Sequence, residues 1–370
     1  MNNKLDHLQK ILLMGPGPSS VSESVYTALA KPTLGHLDPN FIELMDTIKE
    51  YLRKLMGTNN ELTIPMSGTG SAGMETCFVN LIEPKDKVLI LINGVFGTRM
   101  EDIANRLGAD VDSLHFEWGH AVDIDIVANQ LYEKKYDLVA VVHAETSTGV
   151  CNPVKEIGEL VKKNGSLYLV DCVTSLGGLD VQMDKWCIDA LYSGTQKCLS
   201  CPPGLSPVSF SEKAVQRLSN RNSKVPNWYL DLSMITKYWS GNSRVYHHTA
   251  PINMLYGLYQ ACYNIIDEGL SVAIKRHKDM HKLLVDELSK LGLELFVKER
   301  DRLPMLNSII IPQGIQDVDV RSKLLNEYQI EIGGGLGPLS NKIWRVGLMG
   351  ETAKKESIYR LIDAFKEILD

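Results

Sequence analysis

The sequence predicts an α/β protein, a mostly parallel doubly wound sheet followed by a smaller α+β unit. Two patterns carry that expectation. Through the first two thirds, short β-branched apolar runs alternate with helical stretches. The runs are nearly continuous rather than alternating, which is what a sheet buried on both faces requires. Past about residue 252 the alternation gives way to a long helical stretch and then to strand, helix, glycine-rich turn, strand and helix.

In order, strands are expected at 88–92, 138–142, 166–170, 190–193 and 206–209, with helices at 73–81, 99–107 and 154–163. Residues 252–291 read as largely helical, with apolar residues at three- and four-residue spacing. A strand at 306–311, a helix at 318–327, a turn at 333–337, a strand at 343–347 and a helix at 354–369 complete the chain. These elements divide it into an N-terminal arm (1–20), a large α/β domain (21–255) and a small C-terminal α+β domain (256–370).

Composition narrows the function classes. A formal net charge of −6 argues against a nucleic-acid or anionic-membrane binder, which would carry a basic face. The apolar run Ile11 to Met14 is too short for a signal-peptide core or a membrane span, and a cytoplasmic enzyme is expected. The seven cysteines are scattered, as free thiols in a reducing compartment are. Cys198 and Cys201 form one C-x-x-C, but no second ligand pair accompanies it, so no metal site is expected. His247 and His248 are adjacent and make a poor metal pair.

The chemistry concentrates in a few segments. In Ser193-Gly-Thr-Gln-Lys197-Cys-Leu-Ser-Cys-Pro-Pro-Gly204 a lysine follows the end of a buried strand. Ligands of open α/β sheets bind at that edge. A partly desolvated amine there loses its proton and becomes a nucleophile toward aldehydes. A lone loop lysine is ordinarily a solvated surface residue, and the neighbouring motifs are what change the reading. Asp171 ends the strand before it. A carboxylate so placed needs a cation or donors, such as a protonated pyridine nitrogen, or it caps the following segment. Ser67-Gly-Thr69-Gly70-Ser71-Ala-Gly precedes a helix, and glycines before a helix N-terminus suit a phosphate. The dinucleotide fingerprint is incomplete, because no acidic ribose partner is evident. Phe96, after the strand 88–92, either stacks on an aromatic ligand or packs in the core. The hydroxyls of Tyr246 and Thr249 are placed to donate to phosphate oxygens, and Arg345 is a guanidinium in an apolar strand that needs an anion.

Nine blocks in order carry a resemblance over nearly the whole chain. They are Gly15-Pro-Gly-Pro18, Ser67-Gly-Thr-Gly70, Asn93-Gly-Val-Phe-Gly97, Glu145-Thr-Ser-Thr-Gly149, Val170-Asp-Cys-Val-Thr-Ser-Leu-Gly-Gly178, Ser193 to Gly204, Tyr246-His-His-Thr249, Gly333-Gly-Gly-Leu-Gly-Pro338 and Trp344-Arg-Val-Gly347. In these the sequence resembles the class V, fold-type I aminotransferases that use pyridoxal 5′-phosphate (PLP), in the alanine–glyoxylate and serine–pyruvate branch. The resemblance implies the PLP-transferase fold type I and transamination between alanine or serine and glyoxylate or pyruvate. It implies that Lys197 holds the cofactor as a Schiff base and shuttles the Cα proton, and that Asp171 holds the pyridine nitrogen. Phe96 would stack on the ring, Thr146 would contact its hydroxyl side, and Thr69, Gly70, Ser71 and Gln196 would bind the phosphate. Tyr246 and Thr249 would reach the phosphate of a neighbouring subunit, so a homodimer is implied. Arg345 would clamp the substrate carboxylate, with the backbone at Gly17 closing over it.

The chain also departs from the family pattern. Phe96 stands where tryptophan is frequent, and Ser71 where larger residues occur. His36 and Tyr246 stand where ureidoglycine–glyoxylate enzymes carry amides, which disfavours that alternative. A PLP lyase would use the same lysine and aspartate. A cysteine desulfurase would need a cysteine near Arg345, and none follows Cys262.

Overall fold

The computed structural model describes residues 3–240 and 244–369. Its centre is a seven-stranded sheet. In chain order the strands are β1 (Leu62–Ser67), β2 (Lys87–Ile92), β3 (Asp110–His115), β4 (Leu138–Val142), β5 (Leu167–Asp171), β6 (Ala190–Tyr192) and β7 (Leu205–Phe210). In space they lie in the order β1-β7-β6-β5-β4-β2-β3. The pairs β2·β3, β2·β4, β4·β5 and β5·β6 are parallel, and β7 runs antiparallel to both its neighbours. β4 and β5 are buried along their whole length, as their unbroken apolar runs predict.

The expected strands form with ends shifted by at most one residue. Two strands that the sequence pattern left unmarked sit at the sheet edges. β1 contains Pro65, which lacks an N–H and lowers any strand reading. β3, Asp-Val-Asp-Ser-Leu-His, is polar and only partly buried because it pairs on one side alone.

Helices cover both faces. α1 (Glu23–Leu29), α2 (Pro39–Met56), α3 (Gly70–Leu81), α4 (Val95–Arg106), α5 (Ile124–Glu133), α6 (Val154–Asn164), α7 (Glu212–Ser219) and α8 (Leu232–Trp239) belong to the first part of the chain. α3 and α4 begin three and four residues before the sequence expectation. Glycines open both, and the first-turn N–H groups have no intrahelical partner in any case. Gly73 serves packing: a Cβ there would collide with the Ser206 hydroxyl and come within 3.1 Å of Tyr192 Cβ, so only glycine lets α3 lie this close to the sheet.

The stretch expected as one long helical run is two helices, α9 (Ile252–Glu268) and α10 (Leu270–Lys290), broken at Gly269 with φ +91°. A three-stranded antiparallel sheet follows, built from β8 (Leu306–Ile310), β9 (Gly333–Gly334) and β10 (Ile343–Gly347) in the order β8-β10-β9, with helices α11 (Asp317–Tyr328) and α12 (Lys355–Leu369). Two large apolar clusters form. One runs from Phe41 to Ala273 and includes the buried side of α9; the other joins Met14 to residues between Leu284 and Phe365. In the second, Trp344 and Phe365 stack with ring centroids 5.4 Å apart.

The N-terminal arm ties the two clusters together. Leu12 and Leu13 pair in parallel with Ile330 and Glu331, and Gly347 N donates to Met14 O at 2.7 Å. A few residues later Ser19 N donates to Gln196 O at 2.8 Å, and Ser19 Oγ donates to Lys197 O at 2.7 Å. The arm therefore leaves the small sheet and pins the loop after β6.

Candidate active site

Six strands of the large sheet, β1 to β6, run the same way, so the loops after β1, β2, β4, β5 and β6 meet on one edge. This edge is where an open α/β sheet binds ligands, since it gathers loop residues and helix N-termini over a rigid floor. A cavity of about 140 Å³ opens there. Its lining includes Thr69, Gly70 and Ser71 after β1, Phe96 after β2, Thr146 after β4, Asp171 at the end of β5, and Gln196 and Lys197 after β6. The structure thus brings together residues that lie 128 positions apart in sequence, from Thr69 to Lys197.

Lys197 is 8% exposed, and its ε-amine donates to the Pro16 carbonyl of the arm. Burial pushes the amine down from its ordinary value to about 8, and the nearby Arg345 charge adds to the effect while Asp171 opposes it. The loop that carries it is closed on itself. Thr195 Oγ1 donates to Pro202 O at 2.6 Å, and Cys201 N donates to Thr195 O at 3.1 Å. Cys198 and Cys201 pack into different apolar clusters, and both thiols are free.

Asp171 is 3% exposed. Tyr192 Oη donates to its Oδ2 at 2.7 Å and Val173 N to its Oδ1 at 2.8 Å. Burial raises the carboxyl to about 6, against the opposing pull of those donors and of Lys197 and Arg99. The acid is thus ionised near neutral pH and accepts two hydrogen bonds among the described residues, which leaves lone pairs unused at a carboxylate that lines the cavity.

Thr69 is the N-cap of α3, and its side chain makes no cap hydrogen bond. The first-turn residues Gly70 and Ser71 therefore line the cavity without a side-chain cap from Thr69. Gln196 Oε1 is buried and has no hydrogen-bond partner among the described residues. An orphaned buried amide beside an open helix N-terminus fits a multi-oxygen anion such as a phosphate.

Arg345 lies in the middle of β10, 7% exposed. Its Nε donates to Gly334 O at 2.7 Å and its Nη1 to Thr146 O at 3.1 Å. Both partners are main-chain carbonyls, and no carboxylate lies within ion-pair distance among the described residues. Burial lowers this guanidinium to about 10. Gly17, with φ +108°, lies against Lys197; a Cβ there would overlap the lysine amine and come within 2.7 Å of its Cδ and Cε.

Tyr246 and Thr249 do not line this chain's cavity. Tyr246 is 55% exposed, its hydroxyl lies 3.3 Å from Thr249 Oγ1, and its ring faces His36 at 5.2 Å. His247 and His248 pair with each other through Nδ1 at 2.8 Å, and His248 Nε2 reaches Ser67 Oγ at 3.0 Å.

Besides Tyr192, two contributors went unassigned from sequence. Glu145 is fully buried, accepts from Ser147 Oγ at 2.6 Å and Ser147 N at 3.1 Å, and accepts from Phe96 N at 3.3 Å. It caps the first turn of α4 and so fixes Phe96; burial lifts its carboxyl to about 7. Its place in the Glu-Thr-Ser-Thr-Gly block was a signal, but a cap donated from another strand has no local pattern. The second is Arg99, which lines the cavity from α4.

Comparison with known proteins places the chain in a family. The family model described as aminotransferase class-V matches residues 20–354. The solved structure of an alanine–glyoxylate aminotransferase from Nostoc sp. is 45% identical, covers 100% of both chains and superposes with a TM-score of 0.95. A ureidoglycine–glyoxylate aminotransferase from Bacillus subtilis is 38% identical, covers 98% of this chain and 93% of its own, and has a TM-score of 0.96. The alanine–glyoxylate aminotransferase of Drosophila melanogaster is 38% identical over 361 residues, which is 96% of this chain and 92% of that protein. With a family match over most of its length and relatives at this identity, the chain belongs to the class-V aminotransferases.

Proposed function

We propose that this aminotransferase uses PLP to move an amino group from a small L-amino acid, alanine or serine, to a small 2-oxo acid, glyoxylate or pyruvate. The observation that carries the reading is the trio of Lys197, Asp171 and Arg345, a buried amine, a buried carboxylate and a buried guanidinium without a carboxylate partner among the described residues. The residues present fit the cofactor: an unpartnered amide and an open helix N-terminus for the phosphate, a carboxylate with free lone pairs for the ring nitrogen, and an amine depressed to about 8 for the aldehyde.

When bound, PLP supplies an electron sink that stabilises the charge left at Cα on loss of its proton. The chain's own residues do the rest. Lys197 Nζ would hold the cofactor and, as a free amine, would take up and hand on the substrate Cα proton. Asp171 would hold the ring nitrogen cationic, and Tyr192 Oη and Val173 N, which donate to Asp171, favour its ionised form. Arg345 binds the substrate carboxylate at two points, its plane set by Gly334 O and Thr146 O. Thr69, Gly70, Ser71 and Gln196 would hold the phosphate, Phe96 and Thr146 would hold the ring, and Gly17 lets the arm lie against Lys197.

Tyr246 and Thr249 complete the phosphate site of a second copy in a homodimer. Their exposure and their distance from this chain's own cavity support that role. Two apolar clusters support a large and a small domain, but the expected boundary at 255/256 falls inside α9, whose buried side packs in the large cluster, so we place the boundary after Glu268. We retain a cytoplasmic location; no helix of the described residues is long and apolar enough to cross a membrane.

The test is the visible spectrum of the purified protein, before and after L-alanine, L-serine or (S)-ureidoglycine without acceptor. Loss of the lysine-bound cofactor band with one donor, and its return with glyoxylate or pyruvate, establishes both half-reactions. A band that no donor converts points to lyase chemistry, and no band after incubation with PLP overturns the reading.

A further inference from the structure

Arg99 lies in the second turn of α4 and touches two parts of the cavity at once. Its Nη1 donates to Ser71 Oγ at 3.2 Å, in the first turn of α3. Its guanidinium sits over the Phe96 ring, 5.1 Å from the centroid. It therefore spans the gap between the open N-terminus of α3 and the aromatic side chain.

Charge bookkeeping around the cavity gives this placement its meaning. Among the described residues, the charged side chains lining it are Asp171, Lys197 and Arg99. A phosphate monoester carries between one and two negative charges near neutral pH. A helix N-terminus offers roughly half a positive charge, which leaves most of that unmatched. Lys197 is committed to the cofactor carbon and Asp171 has the wrong sign, so Arg99 is the cation left in the lining. Its planar fork suits phosphate oxygens at two points, and the contacts to Ser71 and Phe96 hold it in place beforehand.

We infer that Arg99 binds the cofactor phosphate directly, with Ser71 and the N-terminus of α3, and supplies its charge partner. The inference rests on the PLP reading above and adds a residue to it. It gives the small hydroxyl at position 71 a purpose as well: Ser71 leaves room for the guanidinium and accepts a hydrogen bond from it. A bulkier residue there would push the arginine away.

The experiment compares two ligands that differ only in the phosphate. Apoprotein of the wild type, Arg99→Met and Arg99→Lys is titrated with PLP and with pyridoxal, following the absorption of the bound aldehyde, and thermal melting confirms that each variant is folded. Arg99→Met is expected to weaken PLP about 10- to 100-fold, the scale of a charge-assisted hydrogen bond, and to leave pyridoxal unchanged. Arg99→Lys is expected to recover part of the difference. In phosphorus-31 NMR the bound phosphate of Arg99→Met should titrate at higher pH than that of the wild type. Equal losses for PLP and pyridoxal would mean that Arg99 acts only by bracing Phe96, and an unchanged preference would mean that it is a surface residue; either overturns the inference while leaving PLP binding intact. Wild-type protein that binds neither aldehyde would remove the PLP reading itself, and this inference with it.

Discussion

Tyr192 stands directly opposite Asp171 across the parallel β5·β6 ladder, and its hydroxyl donates to Asp171 Oδ2 at 2.7 Å. Both side chains are buried, so this hydrogen bond holds charge on the carboxylate against a burial cost that lifts it to about 6. Tyr192→Phe removes the donor and moves the ionisation of Asp171 upward, by about one pH unit for a hydrogen bond to a charged group. The acid limb of cofactor affinity, measured by titrating apoprotein with PLP across pH 5 to 8 (roughly the ionisation range of this group), should shift upward with it. An unmoved limb would mean that Asp171 does not face the ring nitrogen.

Asp171→Asn takes the charge away altogether. Cofactor affinity should fall on the order of 100-fold or more, as when one partner of a buried pair is lost. Equilibrium dialysis of PLP from the variant reads this directly, and retention as tight as in the wild type would refute the role.

Lys197 titrates near 8 because of burial first and the Arg345 charge second. Only the unprotonated amine attacks an aldehyde, so capture of pyridoxal by the apoprotein should quicken about tenfold per pH unit up to about 8 and level off above it. Arg345→Ala removes a like charge, so the same midpoint should move to higher pH. Stopped-flow absorbance measures both. Lys197→Ala should show no covalent capture and lose transamination on the order of 10⁴-fold or more.

Arg345→Ala should raise KM for the amino donor more than it changes kcat. Truncating one side of a buried hydrogen-bonded charge pair costs about 2–5 kcal/mol, roughly 30- to 4000-fold in kcat/KM. Arg345→Lys keeps the charge but loses the fork, and should fall between. Steady-state kinetics with alanine and with an amine lacking the carboxylate separates the cases, because the second substrate should not sense the change.

Gly17→Ala tests the arm. The added Cβ would meet the Lys197 side chain, and φ +108° is itself a strained angle for alanine. The variant should lose cofactor capture while its melting temperature falls only slightly, because Gly17 lies outside both main clusters. A variant with full capture would show that the arm does not close over the lysine.

Much of this was legible in the chain itself. Apolar continuity marked β2, β4 and β5 because a strand buried on both faces has no room for polar alternation. Chemistry-bearing residues stood out where they interrupt such runs, as Asp171 and Arg345 do, since a buried charge is costly unless it has a purpose. The order of nine short blocks pointed to the family. Local pattern could not mark β1, whose Pro65 argues against a strand and whose place is set by β7, or β3, whose polar face is tolerated only at an edge. Nor could it assign Glu145 or Arg99. The partners of Glu145 include the start of α4, and those of Arg99 are Ser71 and Phe96, brought close by a sheet order of β1-β7-β6-β5-β4-β2-β3. The sequence by itself determined which residues carry charge and which runs must be buried. Tertiary structure alone decided which of those charges face one another, because hydrogen bonds and ion pairs act over a few ångströms and only the folded topology sets such distances between segments far apart in the chain.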